Sequence, residues 1–575
     1  GTAMTLPSTL AFDHPTARSL AALLQPKVSA AVAMDGSVAK ASPGGAMAIG
    51  GLDALLPLGT DSMAATASML ACSRNAISEV PASRWDVAAL TKLSQPIFNR
   101  VRHGGFMTGA ELVDNAAFSV PPSEAAAMDP QQRLLLEHGY AALHDAGLNR
   151  AALNSSGTGF FLGIASTDFA QILPFTPAGG SVYAATGSSL SIAAGRVSYV
   201  LGLQGPCVSY DTACSSALAA AHAGLRALQM NECPIGLVAG VTLQLTPGTG
   251  VGFGIAGMTS VNGRCHTFDA RANGYVRGEA CGAIAMQSNV QTAALSLLGS
   301  AVRQDGRSAS LTAPNGQAQQ GLIVAALSDA ATAADALSLS EAHGTGTALG
   351  DPIEAGSLAG ALLASRSAGI SPLAIGGVKA NIGHAEPAAG MTGLLKLGVG
   401  LSSGTVAPNA QLRVLNPLLE GAMVGTGSAL AIHLGNLGKL LPQAGSVSSF
   451  GYSGTIAHTV LRNKEMIAEP RTIPQRAYRR SLFLWMEAPV VESAATQVSQ
   501  TLGQEIKMTN AAAEWQRDMG AAERAFHCCH QIGRARLFAG TSFIELARSA
   551  LYATSTKAGP FRIDDTTFHT FLFLD

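Results

Sequence analysis

Short apolar runs of Val, Ile, Leu and Ala alternate along this chain with Ala-rich stretches of helical character. The alternation predicts an α/β protein with strands and helices in separate layers. One junction is explicit. Cys207-Val208-Ser209-Tyr210 reads as a strand, and D-T-A-C-S-S-A-L-A-A-A-H-A-G-L-R-A-L from Asp211 reads as a turn feeding an Ala/Leu-rich helix. Near the start, Leu6 to Leu24 reads as a short extended piece, a turn at Asp13 to Pro15, and an amphipathic helix with Thr16 near its first turn. Ala, Gly, Ser and Pro then dominate 25–44, the composition of a linker. Nowhere do 18 apolar residues follow one another without polar interruption, so no membrane span is predicted.

A chain of 575 residues exceeds one ordinary domain, and 47% apolar against 13% charged residues leaves ample material for large cores. At least two domains are expected. A formal net charge of -1 and the lack of any long Lys/Arg cluster argue against nucleic acid or an anionic membrane as partner. A small or carrier-bound substrate fits better. The eight cysteines (72, 207, 214, 233, 265, 281, 528, 529) form no C-x-x-C pair, so neither a metal site nor a redox site is expected. A reducing compartment follows, the cytoplasm by default, with a plastid or other organelle also compatible. The N-terminus lacks the pattern of a secretory signal.

Three glycine-rich motifs carry candidate chemistry: D-T-A-C-S-S around Cys214, E-A-H-G-T-G-T around His343, and V-K-A-N-I-G-H ending at His384. One thiol and two imidazoles, each in its own turn, suit an enzyme that forms carbon-carbon bonds from acyl thioesters. At a helix N-terminus Cys214 would have its thiolate stabilised by free N–H groups and the helix dipole, so a lowered pKa is expected. Cys207, Cys233, Cys265 and Cys281 read as small buried apolar residues, and His222, His266 and His458 as structural.

The surrounding motifs identify a family. E-V-P-A-S-R-W-D (Glu79 to Asp86), E-A-A-A-M-D-P-Q-Q-R-L-L-L-E (Glu124 to Glu137), S-L-S-I-A-A-G-R-V-S-Y-V-L-G-L-Q-G-P (Ser189 to Pro206), F-D-A-R-A-N-G-Y-V-R-G-E (Phe268 to Glu279) and V-S-S-F-G-Y-S-G-T (Val447 to Thr455) occur in order. The block 45–463 thereby resembles the ketosynthase of modular type I polyketide synthases. The resemblance implies a thiolase-type, five-layer αβαβα fold of two mixed-sheet halves, with the cysteine in the first half and both histidines in the second. It implies Cys214 as nucleophile, with His343 and His384 as hydrogen-bond donors to the enolate oxygen formed when a malonyl-type extender loses carbon dioxide. His343 would also activate water or polarise the departing carboxylate. Lys379 would support the histidines electrostatically, and Thr345 and Thr347 would bond the amides of a phosphopantetheine arm. Phe450 and Gly451 would line the acyl pocket, the Phe450 N–H joining that of Cys214 as an oxyanion hole. Ile456 departs from the family's S-G-T-N-A-H and is expected to alter hydrogen bonding near the pocket. A homodimer is implied, as are substrates borne on the phosphopantetheine of acyl carrier protein, with no cofactor covalently bound in this chain.

The flanks resemble further pieces of such a synthase. Residues 1–24 contain L-P-S-T-L-A-F-D-H-P-T, similar to the C-terminal part of a helical acyl carrier domain. Gly59 to Met63 imitates a carrier-serine motif at Ser62, yet the order of neighbouring ketosynthase motifs makes it a loop. Residues 464–505 read as a linker, in which Arg471 to Trp485 resembles the basic-aromatic segment that wraps a ketosynthase. Residues 506–575 resemble the start of a dehydratase hot-dog (α+β) domain, with His530 as its base in H-Q-I-G-R-A-R-L-F-A-G-T. The glycine falls one position early and Ala539 replaces proline, so His530 is expected to be inactive. No room remains for an acyltransferase domain between them, so a separate acyltransferase is expected to load the extender. Two other readings remain: a thiolase, which would need a second catalytic cysteine late in the domain, and a non-extending ketosynthase that transfers chains or serves as a scaffold.

Overall fold

A computed structural model describes residues 45–288, 293–437, 443–463 and 478–485, together with the backbone of four short strands between 504 and 536. Eleven strands make one continuous sheet. In chain order they are β1 (Met47–Leu55), β2 (Gly159–Gly163), β3 (Cys207–Tyr210), β4 (Ile235–Thr242), β5 (Ala280–Gln287), β6 (Leu295–Gln304), β7 (Leu337–Glu341), β8 (Leu373–Gly376), β9 (Ser428–Leu430), β10 (Ala444–Phe450) and β11 (Thr455–Asn463). Side by side they run β9-β8-β7-β10-β11-β6-β1-β5-β4-β2-β3. The same pattern occurs twice. From the centre outward, β1, β5 and β4 are antiparallel neighbours and β4, β2 and β3 are parallel. Likewise β6, β11 and β10 are antiparallel while β10, β7 and β8 are parallel, with β9 added at the edge. The halves join where Met47, Ala48 and Ile49 pair with Leu297, Ser296 and Leu295.

Six helices complete the layers: α1 (Pro130–Asp145), α2 (Leu190–Leu201), α3 (Ser216–Gln229), α4 (Gly316–Asp329), α5 (Gly350–Ala361) and α6 (Ala389–Ser403). Helices α1 and α2 cover the outer face of the first half, α4 and α5 that of the second, and α3 and α6 lie between the halves in contact with both. This is the expected five-layer arrangement. Its middle layer is thin because it is built of small residues: Ala217, Ala219, Ala220 and Ala221 of α3 are buried, and a methyl group on Gly163 of β2 would lie 2.6 Å from the Ala217 nitrogen. The central core of Leu218, Leu225, Met391, Leu394 and Leu395 excludes water from that layer. Burial on both faces explains why β4 and β5 read as unbroken apolar runs.

Two of the recognised motifs meet inside the first half. Arg84 and Glu279 form a buried bidentate pair at 2.7 and 2.8 Å, and Glu279 also accepts from the N–H groups of Met107 (2.8 Å) and Gln244 (3.1 Å). Ser62 is a helix cap: its side chain accepts from the Ala65 N–H at the start of Met63–Ala71. Cys233, Cys265 and Cys281 are buried as expected, but Cys207 is exposed, because β3 is an edge strand of the sheet. The segment after the gap returns to the first half. Ser481–Leu482 pairs with Leu112–Val113, Arg133 donates to the Phe483 carbonyl at 2.9 Å, Arg480 pairs with Glu137 at 2.8 Å, and buried Trp485 lies over the Arg84 guanidinium at 5.1 Å.

The chain divides into two compact units, Gly1–Trp485 and Met486–Asp575. In the second, Gln504–Met508 pairs antiparallel with Ala513–Gln516, and Gln531–Ile532 with Ala535–Arg536. The carrier-like piece 1–24, the linker 25–44 and His530 lie outside the described residues.

Candidate active site

Cys214 stands in the turn between β3 and α3, directly after Ala213, whose φ of 53° is left-handed and unfavourable for a side-chain-bearing residue. The turn is locked by its own hydroxyls. Ser216 accepts from the Thr212 N–H (2.8 Å) and donates to the Ala213 carbonyl (2.6 Å), and Ser449 at the end of β10 donates to the Cys214 carbonyl (2.6 Å). Gly451 is required opposite, since a Cβ there would meet the Thr212 oxygen at 2.4 Å.

His384 comes from the loop between β8 and α6. Its backbone is fixed by N–H donation to the Val276 carbonyl (2.7 Å) and by acceptance from Gly278 (2.8 Å), and its Nε2 lies 3.1 Å from Cys214 Sγ. His343 follows β7, with its ring centroid 5.6 Å from that of His384 and 5.4 Å from that of Phe450. The Glu386 N–H donates to His384 Nδ1 at 2.9 Å, and the Phe450 N–H donates to His343 Nδ1 at 3.3 Å. A nitrogen that accepts carries no hydrogen, so in each neutral ring the hydrogen sits on Nε2. Both imidazoles are neutral: burial, then the Lys379 charge, holds their pKa values well below the ordinary histidine range. Cys214 therefore faces a donor in His384, and His343 offers a second Nε2–H beside it.

Two sequence expectations change here. The Phe450 N–H is taken up by His343, whereas the backbone N–H groups bonded to the Cys214 sulfur are its own and that of Tyr452. An oxyanion formed at Cys214 would thus meet the N–H groups of Cys214 and Tyr452, while the Phe450 N–H expected to join that hole is held by His343 Nδ1. The Cys214 thiol is also not lowered by the helix end. Burial, with the Glu386 carboxylate adding to it, pushes it up to about 12, against Lys379 and the two N–H groups.

Lys379 is buried and donates to the His343 carbonyl; burial lowers its pKa, while Glu354 and Glu341 oppose that shift. Glu354 of α5, not singled out from the sequence, accepts from the His343 N–H (2.6 Å) and the Gly344 N–H (2.8 Å) and so holds the histidine loop. Asp351 accepts from Gly346 (3.0 Å) and Phe268 (2.7 Å) in the same way. Thr345 and Thr347 are 3.2 Å apart at their hydroxyls and line, with Cys214, His343, His384 and Gly451, a cavity of about 430 Å³. Ile456 does not line it: the side chain is fully buried in the apolar cluster with Phe268 and Phe450.

Known proteins bear on this geometry. Residues 46–291 match the family described as beta-ketoacyl synthase, N-terminal domain, and residues 295–413 its C-terminal domain. The polyketide synthase GfsB of Streptomyces halstedii is 39% identical over 476 residues, covering 80% of this chain and 8% of that protein. The spectinabilin polyketide synthase system protein NorC of Streptomyces orinoci is 38% identical over 489 residues, 82% of this chain and 21% of that one. The chain thus spans a small part of the length of these relatives. Among solved structures, a ketosynthase from module 6 of the bacillaene synthase of Bacillus subtilis superposes with a TM-score of 0.67 at 29% identity, covering 89% of this chain and 86% of that one. The oxazolomycin ketosynthase domain of Streptomyces albus gives 0.67 at 32% identity, with 73% and 75% covered.

Proposed function

The chain belongs to the beta-ketoacyl synthase family of polyketide synthases, and from that premise we propose that it extends carrier-bound acyl chains by decarboxylative Claisen condensation. The observation that carries the proposal is the 3.1 Å approach of His384 Nε2 to Cys214 Sγ, beside a second imidazole whose Nδ1 is likewise held by a backbone N–H. In the first half-reaction the Cys214 sulfur attacks an acyl thioester, the N–H groups of Cys214 and Tyr452 stabilise the tetrahedral oxyanion, and the carrier thiol leaves with the proton. In the second, the malonyl carbon-carboxylate bond breaks and its electron pair moves to the thioester oxygen, which the Nε2–H groups of His343 and His384 hold as an enolate. The enolate carbon then attacks the acyl carbon on Cys214, the carbon-sulfur bond breaks with its electron pair on the sulfur, which takes up a proton from solvent, and the β-ketoacyl thioester leaves after the carbon dioxide.

The arm that presents both substrates is phosphopantetheine on acyl carrier protein, with Thr345 and Thr347 beside it. A separate acyltransferase supplies the extender, because the stretch from Asn463 to the dehydratase-like motif at His530 is too short for such a domain. The carrier-like 1–24 and the dehydratase-like 506–575 are flanking pieces of the same assembly line, the latter without dehydratase activity of its own. The test is intact-protein mass spectrometry with acyl-carrier and then malonyl-carrier thioesters. Acylation at Cys214 followed by a ketoacyl product supports extension; acylation without product would replace it with a transacylating, non-extending role.

A further inference from the structure

Asp305 and Gln319 are unused by this chemistry. Both line the Cys214 cavity, their relative exposures are 7% and 1%, and each has a buried oxygen, Asp305 Oδ1 and Gln319 Oε1, with no hydrogen-bond partner among the described residues. Such oxygens cost free energy unless a ligand satisfies them. The Asp305 backbone is held on both sides, its N–H by the Gly454 carbonyl (2.8 Å) and its carbonyl by Asn315 Nδ2 (2.7 Å), so the main chain that carries the carboxyl group is fixed in place. Among the described residues no cation pairs with it, although Arg303 and Arg307 flank it in sequence. Besides Asp305, the titratable groups on the shared cavity wall are Cys214, His343, His384, Glu354, Tyr275 and Tyr452.

We infer that Asp305, with Gln319, forms a subsite that accepts hydrogen bonds from the amide N–H groups of the substrate's pantetheine arm. The two oxygens can take donors from a ligand, and that arm brings two secondary amides to the wall carrying Thr345 and Thr347. This rests on the ketosynthase reading above. Burial pushes the Asp305 carboxyl up to about 7, opposed by the Asn315 backbone N–H, so the stronger acceptor, the carboxylate, forms as pH rises through neutrality.

The test compares Cys214 acylation, read by intact mass on the full chain, from an acyl-pantetheine thioester and from an S-butyl thioester of the same acid. In the Asp305→Ala variant the ratio of kcat/KM for the pantetheine over the butyl substrate should fall about tenfold through KM. Asp305→Asn, which keeps an acceptor but cannot titrate, should retain most of the ratio and lose the inflection near pH 7, where wild-type KM falls with rising pH. An unchanged ratio in Asp305→Ala, or equal losses on both substrates, overturns the subsite while leaving the ketosynthase reading intact. A wild-type Cys214 that neither thioester acylates overturns both.

Discussion

At Cys214 two influences on one sulfur oppose each other. Lys379 and neighbouring N–H groups favour its thiolate, yet burial dominates and keeps the thiol protonated, so its thiolate fraction rises about tenfold per pH unit across the neutral range. Alkylation of Cys214 by iodoacetamide should therefore climb continuously from pH 7 to about pH 9.5. A plateau below pH 8 would mean that the N–H groups prevail. The Tyr452 N–H can be removed by Tyr452→Pro, which should slow acylation about 10²–10³-fold while Tyr452→Ala, keeping the donor, stays within a few fold. Comparable losses in both variants would point to the phenol ring instead. Cys214, His343 and His384 were legible because side-chain chemistry is written in the motifs. Tyr452 was not, because its contribution is a main-chain N–H that every residue but proline has, and only folding aims it. The direction of the thiol shift was hidden for the same reason, since burial belongs to the assembled layers.

Among the elements, α5 acts on the catalytic loop through one side chain. Glu354→Ala leaves the N–H groups of His343 and Gly344 without their buried acceptor, a cost of about 1–3 kcal/mol, and frees the loop carrying His343. Condensation should then fall more than acylation of Cys214, which does not use His343; single-turnover assays of each half-reaction separate the two. In the first half the buried Arg84–Glu279 pair ties two distant motifs together. Arg84→Ala strands a buried carboxylate, and a loss of about 3–5 kcal/mol is expected in denaturant unfolding. A loss under 1 kcal/mol would show that the site relaxes. The strand-to-helix junction at β3 and α3 was legible from composition, whereas the edge position of β3, and with it the exposure of Cys207, depends on which strands lie beside it. The segment ending at Trp485 shows the same limit: its basic-aromatic character was plain, but its pairing with Leu112–Val113 is a long-range contact.

For the whole molecule, Val182, Tyr199 and Val208 are among the exposed apolar side chains, and Val208 lies on the edge strand β3. The family resemblance implies a homodimer, for which gel filtration should give about twice 58.4 kDa; a value near 58.4 kDa would remove that expectation. The doubled sheet carries a separate consequence. Cys214 follows β3 and His384 follows β8, strands that hold equivalent places in the two halves, so nucleophile and partner are corresponding loops brought nose to nose by the docking of one half on the other. Their 3.1 Å contact is a gauge of that docking. A bulkier residue in the α3–α6 layer that shifts one half against the other would silence the chemistry before circular dichroism registered any loss of helix, and the enzyme's own turnover would be the most sensitive reporter of its architecture.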